Sequence, residues 1–431
     1  MRLDELNGRR VVLLGLGTDV LAAMPAIEAA GPAQLVAVED GDLSGGPGAS
    51  LRRMGVVEAA TDGEVFVRSP GFPRYLAPLV AARERGARMT TPIDLWMGTV
   101  GPSRTVVAIT GTKGKSTVTE LVGVLARAAG LHIGVAGNLG VAVFDHGWEH
   151  DAPVVVLEVS SYQAADLHHV PDVAVLTFLS EDHLSWHGGV ATYVADKLRV
   201  LHNEAGTAGR ILLPATGGDA GEAVAALGLE RDLERGIEVV EPPVADASVP
   251  RHRLQNAALA AAVLTGIGGP TLSGNEVVDA ARSSLPGRLD PCEGPAGLLC
   301  VDDALASNPS AAAAGLGWLR MLGRPTAVLL GGADRGVDPS PLVEEAARWP
   351  PGSLRAVALP DNGADLARRS GIAIVASAVD VDDAVRAAVA DLPADGAVIL
   401  SPAAPTPPAV GNWETRSNQF RSALASLTPR G

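Results

Sequence analysis

The chain has 431 residues, a length that predicts about three domains at roughly 150 residues each. Its 34 Lys and Arg face 49 Asp and Glu, a formal net charge of −15, which argues against a nucleic-acid partner because a phosphate-backbone binder needs a basic footprint. Hydrophobic residues make up 47% and aromatic ones only 3%, so the chain is not disordered, and its cores must be built mainly from Ala, Val and Leu.

Residues 1–10 are charged and carry no apolar stretch, so no secretory leader is expected and the reading is cytoplasmic. The longest apolar runs, such as 257–264, fall well short of the roughly 20 residues a spanning helix needs, so no membrane insertion is expected. Cys292 and Cys300 read as ordinary reduced thiols, with no Cys/His metal spacing around them.

Runs of Val, Leu and Ile alternate with longer Ala-rich stretches from end to end. That is the signature of α/β units on mostly parallel sheets. The first strand is expected at 10–14, followed by Gly15-Leu16-Gly17, a helical stretch to Ala30, and a second strand at 34–38 ending in Glu39-Asp40. The order resembles a dinucleotide-type fingerprint, except that Val20 stands where the third glycine belongs. A nucleotide-sized ligand at this turn and a plain structural turn both fit it. A strand at 64–68 leads to the turn Ser69-Pro70-Gly71, and the Gly/Pro/Ser segment at 101–103 marks a boundary.

The second block opens with a strand at 105–109, a Gly/Lys loop and a helix to about 130. Strands at 154–159 and 173–176 and a helix over about 190–204 follow. Residues 214–250 are acidic and punctuated by Gly and Pro, and take no clear assignment. Helices at about 254–264 and 275–283 close the block before Pro286-Gly287, a second boundary. The third block has strands at 298–301, 326–330, 356–358, 372–375 and 398–400, with helices between them and a last helix over about 414–426. Three α/β domains are expected, at 1–102, 103–285 and 286–431.

The sharpest motif is Thr110-Gly111-Thr112-Lys113-Gly114-Lys115-Ser116-Thr117, between an apolar strand and a helix. Gly111 and Gly114 let backbone amides turn toward an anion, and the helix N-terminus adds partial positive charge. Lys115 can reach the outer phosphates, and Ser116 or Thr117 can ligate Mg²⁺. Only Thr112 and Lys113 separate the glycines, so the loop is a shortened phosphate loop. ATP with Mg²⁺ is the expected ligand. Glu158 ends an apolar strand, where a charge is costly unless paired or bound to metal. His183 lies just past another strand, where open α/β sheets place ligands. Alone, Lys197 reads as a solvated helix position. His168, His169 and His202 read as surface residues.

Taken together, Gly111–Thr117, Gly137-Asn138-Leu139-Gly140, Glu158-Val159-Ser160-Ser161-Tyr162-Gln163, Glu181-Asp182-His183-Leu184-Ser185-Trp186-His187 and Asp196-Lys197 resemble the Mur ligase family, in its MurD branch. The resemblance implies an N-terminal Rossmann-like domain for a UDP sugar, a central phosphate-loop ATPase domain and a C-terminal Rossmann-like domain for an amino acid. It implies that Gly111, Thr112, Lys113, Gly114, Lys115, Ser116 and Thr117 bind ATP, with Asn256 and Arg288. Ser116, Glu158, His183 and Lys197 would hold Mg²⁺, with Lys197 at the position of a carbamylated lysine. Lys115, His183 and Lys197 would be the catalytic groups. Gly15, Ser69, Asn138, Ser160 and Gln163 would face the sugar nucleotide. Pro250 and Arg253 depart from the family pattern that precedes Asn256.

The C-terminal motifs differ from those of the common D-glutamate enzyme. Leu305 replaces a lysine in Asp302-Asp303-Ala304-Leu305-Ala306-Ser307-Asn308. Gly331-Gly332-Ala333-Asp334-Arg335 carries Arg where that enzyme has Lys, and Ser401-Pro402-Ala403-Ala404-Pro405-Thr406 carries an added Pro. These features resemble the variant that adds L-glutamate to UDP-N-acetylmuramoyl-L-alanine, a monomer working with a separate glutamyl epimerase. Ser307, Arg335 and Thr406 would then hold the amino acid. The alternatives are the D-glutamate enzyme, a folylpolyglutamate-type ligase with another acceptor, and a non-catalytic nucleotide-binding scaffold.

Overall fold

In a computed structural model, the residues described are 1–38, 51–138, 141–215, 236–244, 246, 249–283, 286–334 and 338–427. They form two compact units, one of residues 1–246 and 251–281, the other of 247–250 and 282–431.

The first unit holds two main sheets. Strands β1 (Arg10–Leu14), β2 (Gln34–Val38), β3 (Arg52–Arg53), β4 (Val65–Arg68) and β5 (Arg88–Thr90) pair in the order β3-β2-β1-β4-β5. All are parallel, with Leu14 level with Val38 on one side and Arg68 on the other. The second sheet contains β6 (Thr105–Thr110), β7 (Ile133–Gly137), β8 (Val154–Glu158) and β9 (Val173–Leu176). After a short hairpin of β10 (His202–Asn203) and β11 (Gly206–Thr207), it is completed by β12 (Arg210–Pro214) and β13 (Ile237–Val240). Its order is β13-β12-β9-β6-β8-β7, again wholly parallel. A parallel sheet is covered on both faces, so its strands read as continuous apolar runs. Val155, Val156 and Leu157 are buried to 0% exposure, and Glu158 ends that run at 1%.

The second unit carries β14 (Asp290–Cys292), β15 (Leu299–Asp302), β16 (Thr326–Leu330), β17 (Leu354–Ala358), β18 (Ala373–Ser377) and β19 (Ala397–Leu400). They pair in the order β14-β15-β19-β16-β17-β18, with only β14 antiparallel. Cys292 and Cys300 face each other across β14 and β15 as free thiols.

The alternating α/β plan expected from the sequence is present. Strands β3, β5, β7, β10, β11, β12, β13 and β14 are additional. The helix expected over about 190–204 is Val190–Leu198, and the chain then turns into the β10–β11 hairpin. The expected boundary near residue 102 separates the first two sheets, which lie within one compact unit, and Arg282 begins the other unit close to Pro286. Among the described residues, no helix is long and apolar enough to cross a membrane.

Candidate active site

The phosphate-loop motif sits where β6 ends and the helix Lys115–Ala128 begins. Two of its glycines are required by the backbone. Gly111 has φ 149°, and a Cβ there would lie 2.1 Å from Thr177 Oγ1. Gly114 has φ 84° in the left-handed region, and a Cβ there would lie 2.8 Å from Asn256 Oδ1. Asn256 lies on the helix Arg251–Gly266, which packs along Lys115–Ala128. The loop is braced from the sheet side. The Thr112 amide donates to Phe178 O at 2.6 Å, its hydroxyl donates to Ser180 O at 2.9 Å, and Thr177 Oγ1 donates to Lys113 O at 2.5 Å. Thr112 Oγ1 also contacts the Tyr193 hydroxyl at 2.6 Å. The first amides of the following helix have no intrahelical acceptor, which makes its start a ready anion site.

Two lysines converge on one oxygen. Lys115 Nζ donates to Gly111 O at 2.9 Å, and Lys197 Nζ donates to the same oxygen at 2.9 Å. Lys197 is 2% exposed and lies over the Tyr193 ring at 4.9 Å. Burial first, and then the neighbouring Lys115 charge, hold its pKa well below the ordinary lysine value. Lys197 is therefore enclosed beside the loop and not a solvated helix residue. Lys113 pairs with Asp182 at 3.8 Å, and burial lowers its pKa as well.

Glu158 supplies the opposite charge. Its Oε1 accepts from Asn138 Nδ2 at 2.8 Å. Its Oε2 is buried and has no hydrogen-bond partner. An orphaned carboxylate oxygen is costly in a protein interior, and a hard cation is a suitable partner for it. His183 has φ 52° and begins the short helix Leu184–His187. Its ring lies 4.9 Å from Tyr162. Partial burial lowers its pKa, which favours the neutral, metal-binding imidazole. Among the described residues, no three His, Cys, Asp or Glu side chains gather into a closed metal cage. Mg²⁺ is commonly held by one or two carboxylates together with phosphates and waters, so these residues fit it.

A second cluster forms above the first sheet. Gly15 has φ 75°, and its Cβ would lie 3.2 Å from Ser69 Cβ, so the two turns touch. Ser160 caps the helix Ser161–Ala164 in a capping box with Gln163. Gln163 Nε2 also donates to Asp19 Oδ2 at 3.0 Å, and burial raises the Asp19 pKa. Gly15 thus adjoins Ser69, and Ser160 adjoins Gln163, which reaches Asp19 just past the Gly15–Gly17 turn, whereas Asn138 is engaged with Glu158.

Several residues here were given no role in the sequence analysis. His187 is 2% exposed. Its Nδ1 donates to Asp196 Oδ2 at 2.7 Å, since a carboxylate can only accept, and its Nε2 contacts Ser161 Oγ at 3.0 Å. Tyr75 of the first sheet's layer donates to the same Asp196 oxygen at 2.5 Å. Arg68, at the end of β4, is completely buried. Its signal was available: a charge closing an apolar strand, as at Glu158.

In the second unit, a cleft is lined by Ser307, Ala333, Asn362, Arg369, Ala404 and Pro405. These residues follow the carboxyl ends of β15, β16, β17 and β19, where open α/β sheets place ligands. Thr406 adjoins Pro405, and its Oγ1 is buried without a partner. Arg288 precedes β14 and is half-buried. Arg335 lies outside the described residues, as do Leu139 and Gly140. Asp303, given no role in the sequence analysis, accepts from Ser401 Oγ at 2.8 Å and from the Leu289 amide at 3.1 Å. Burial pushes its pKa up to about 7, against the pull of the Ser401 hydrogen bond.

The family model "Mur ligase middle domain" matches residues 109–215. The chain is 36% identical to the UDP-N-acetylmuramoyl-L-alanine–L-glutamate ligase of a Micromonospora species, over 98% of each chain. It is 33% identical to the UDP-N-acetylmuramoylalanine–D-glutamate ligase of Burkholderia pseudomallei, over 86% of each. Its fold is similar to that of MurF ligase from Thermotoga maritima in complex with ADP, with a TM-score of 0.55 at 14% identity, covering 99% of this chain and 97% of that one.

Proposed function

The chain belongs to the Mur ligase family, in its MurD branch, and on that premise we propose that it joins L-glutamate to UDP-N-acetylmuramoyl-L-alanine at the expense of ATP. It is a ligase that forms a carbon–nitrogen bond in peptidoglycan precursor synthesis. The observation that carries the choice of L-glutamate is the end-to-end likeness to the Micromonospora L-glutamate ligase. The proposal assigns residues 1–102 to the UDP sugar, 103–285 to ATP and 286–431 to the amino acid. It takes the protein to be a cytoplasmic monomer served by a separate glutamyl epimerase.

The reaction has two steps. The substrate carboxylate attacks the γ-phosphorus of ATP, the bond to the β-γ bridging oxygen breaks, and ADP leaves an acyl phosphate. The glutamate amine then attacks the acyl carbon, loses a proton, and expels phosphate. Phosphoryl transfer asks the protein mainly for positioning and charge neutralisation. Lys113, Lys115 and the amides of Gly111, Gly114, Ser116 and Thr117 grip the phosphates, Thr112 shapes the loop through its amide bond to Phe178 O, and Asn256 and Arg288 hold the nucleotide. Ser116, Glu158, His183 and Lys197 would hold Mg²⁺, which neutralises charge on the phosphate oxygens. The depressed pKa of Lys197 supports its carbamylation: a neutral amine can add CO₂, and the resulting anion would relieve its repulsion with Lys115. Gly15, Ser69, Asn138, Ser160 and Gln163 face the sugar nucleotide. Ser307, Arg335 and Thr406 hold the amino acid's carboxylates.

The test is phosphate release over a panel of amino acids in both enantiomers, with product mass as the second readout. Release that requires UDP-N-acetylmuramoyl-L-alanine and L-glutamate, with one glutamyl unit gained in mass, is expected. A product with D-glutamate alone, or with another amino acid, would overturn the assignment.

A further inference from the structure

Arg68 makes no contact that a catalytic role would require, yet among the described residues it is the largest fully buried side chain. Its guanidinium is spent on the turn at 69–72 and on the segment at 162–166. Nη1 donates to Ser69 O at 3.1 Å, Pro70 O at 2.6 Å and Phe72 O at 3.3 Å. Nη2 donates to Tyr162 O at 2.5 Å, and Nε donates to Asp166 Oδ2 at 2.8 Å. The Trp186 ring packs over the cation at 5.1 Å. Asp166, itself 1% exposed, also accepts from Arg74 Nε at 2.6 Å. The charge of Arg68 is thus matched inside the protein, and what it delivers to the turn is geometry.

That geometry has one consequence for a ligand. Every described peptide bond is trans, so the N–H of each peptide points away from its own carbonyl. Arg68 draws in the carbonyls of Ser69, Pro70 and Phe72. The peptides after Ser69 and Phe72 end in Pro70 and Pro73, which have no N–H. The peptide after Pro70 ends in Gly71, so its N–H is the single one of the three turned away from the guanidinium. Gly71 is exposed, and a Cβ built there would meet nothing within 4 Å. On the neighbouring side, Ser69 Oγ would lie 2.5 Å from a Cβ on Gly17, so the turn is held against the first Gly-rich loop.

We infer that Arg68 is a positioning residue that presets the Ser69-Pro70-Gly71 turn, aiming the Gly71 N–H at an anionic oxygen of the sugar nucleotide. This rests on the reading of the first sheet as the sugar-nucleotide site. A lysine at this place keeps the charge facing Asp166 but cannot hold four carbonyls in a planar fan. Arg68→Lys is therefore expected to raise KM for UDP-N-acetylmuramoyl-L-alanine by about tenfold, the scale of one well-placed hydrogen bond to a charged group. Its kcat and its KM for ATP should stay within about twofold of wild type. Should the lysine variant not fold, combining Arg68→Met and Arg74→Met with Asp166→Leu removes the whole buried ionic group, and the same rise is expected. Leu79→Ala, a core truncation in the same layer, controls for lost stability and should leave all three constants near wild type. Wild-type protein whose phosphate release does not depend on the UDP sugar overturns both the functional reading and this role. Normal wild-type kinetics with an unchanged sugar-nucleotide KM in the folded Arg68 variants, or an equal rise in Leu79→Ala, overturns the positioning role alone.

Discussion

Two buried ionisable groups have their charged forms disfavoured by the interior, and each makes a measurable claim. Lys197 is held beside Lys115 on the Gly111 carbonyl. Lys197→Ala is expected to lower turnover by roughly 10²–10³-fold, the usual cost of removing one preorganised electrostatic group. Its circular dichroism should match wild type, and near-normal turnover would remove Lys197 from the site. Asp303 makes a claim about pH. Its folded pKa is about 7, raised from 3.8. Between those values the native state holds a proton that the unfolded chain has already released. Stability is therefore full below about pH 4 and falls as pH rises toward 7, by on the order of 4 kcal/mol. Asparagine mimics the protonated carboxyl without titrating. Asp303→Asn should equal wild type in urea melts near pH 4 and exceed it at pH 7.5. Identical pH profiles for the two proteins would contradict a protonated Asp303.

At the level of elements, the loop between β6 and its helix is where local sequence and tertiary packing agree. Gly114 needs its glycine twice, for φ 84° and for the Asn256 amide that a Cβ would approach to 2.8 Å. A left-handed alanine costs about 1–2 kcal/mol before any clash. Gly114→Ala should weaken ADP binding at least about tenfold by calorimetry, and unchanged affinity would show that this turn does not cradle phosphate. This loop was legible because its information is local: strand, glycines, lysine and helix follow one another in the chain. β7 was not, because two of its five residues are glycine, and Gly134 is there to admit Trp148, whose Cζ3 would lie 2.6 Å from a Cβ. The helix over Val190–Leu198 was read too long because nothing before the Asn203–Gly206 turn announces its end. The network of Arg68 and Asp166 was illegible for another reason: its members stand 98 residues apart, and neither belongs to a short motif. The serine, histidine and aspartate at 161, 187 and 196 are closer, but only the fold turns them toward one another.

For the molecule as a whole, the net charge of −15 sets a condition on all its substrates. ATP, the UDP sugar and glutamate are each anionic under the proposed reaction, and each approaches a protein of the same sign. The cations placed for them are few and partly enclosed, with Lys115 and Lys113 only partly exposed. Long-range repulsion between solvent-exposed charges is screened over about 30 Å at 10 mM salt but only about 8 Å at 150 mM. Contacts inside the loop are screened far less, because their distances are short and solvent is largely excluded. Raising NaCl from 10 to 150 mM at constant free Mg²⁺ should therefore increase kcat/KM for the UDP sugar, by about three- to tenfold, through association and not through chemistry. The rise should be absent from kcat measured at saturating substrate. A fall in kcat/KM over this range would mean that a local basic surface, and not the acidic whole, governs the approach of the substrate.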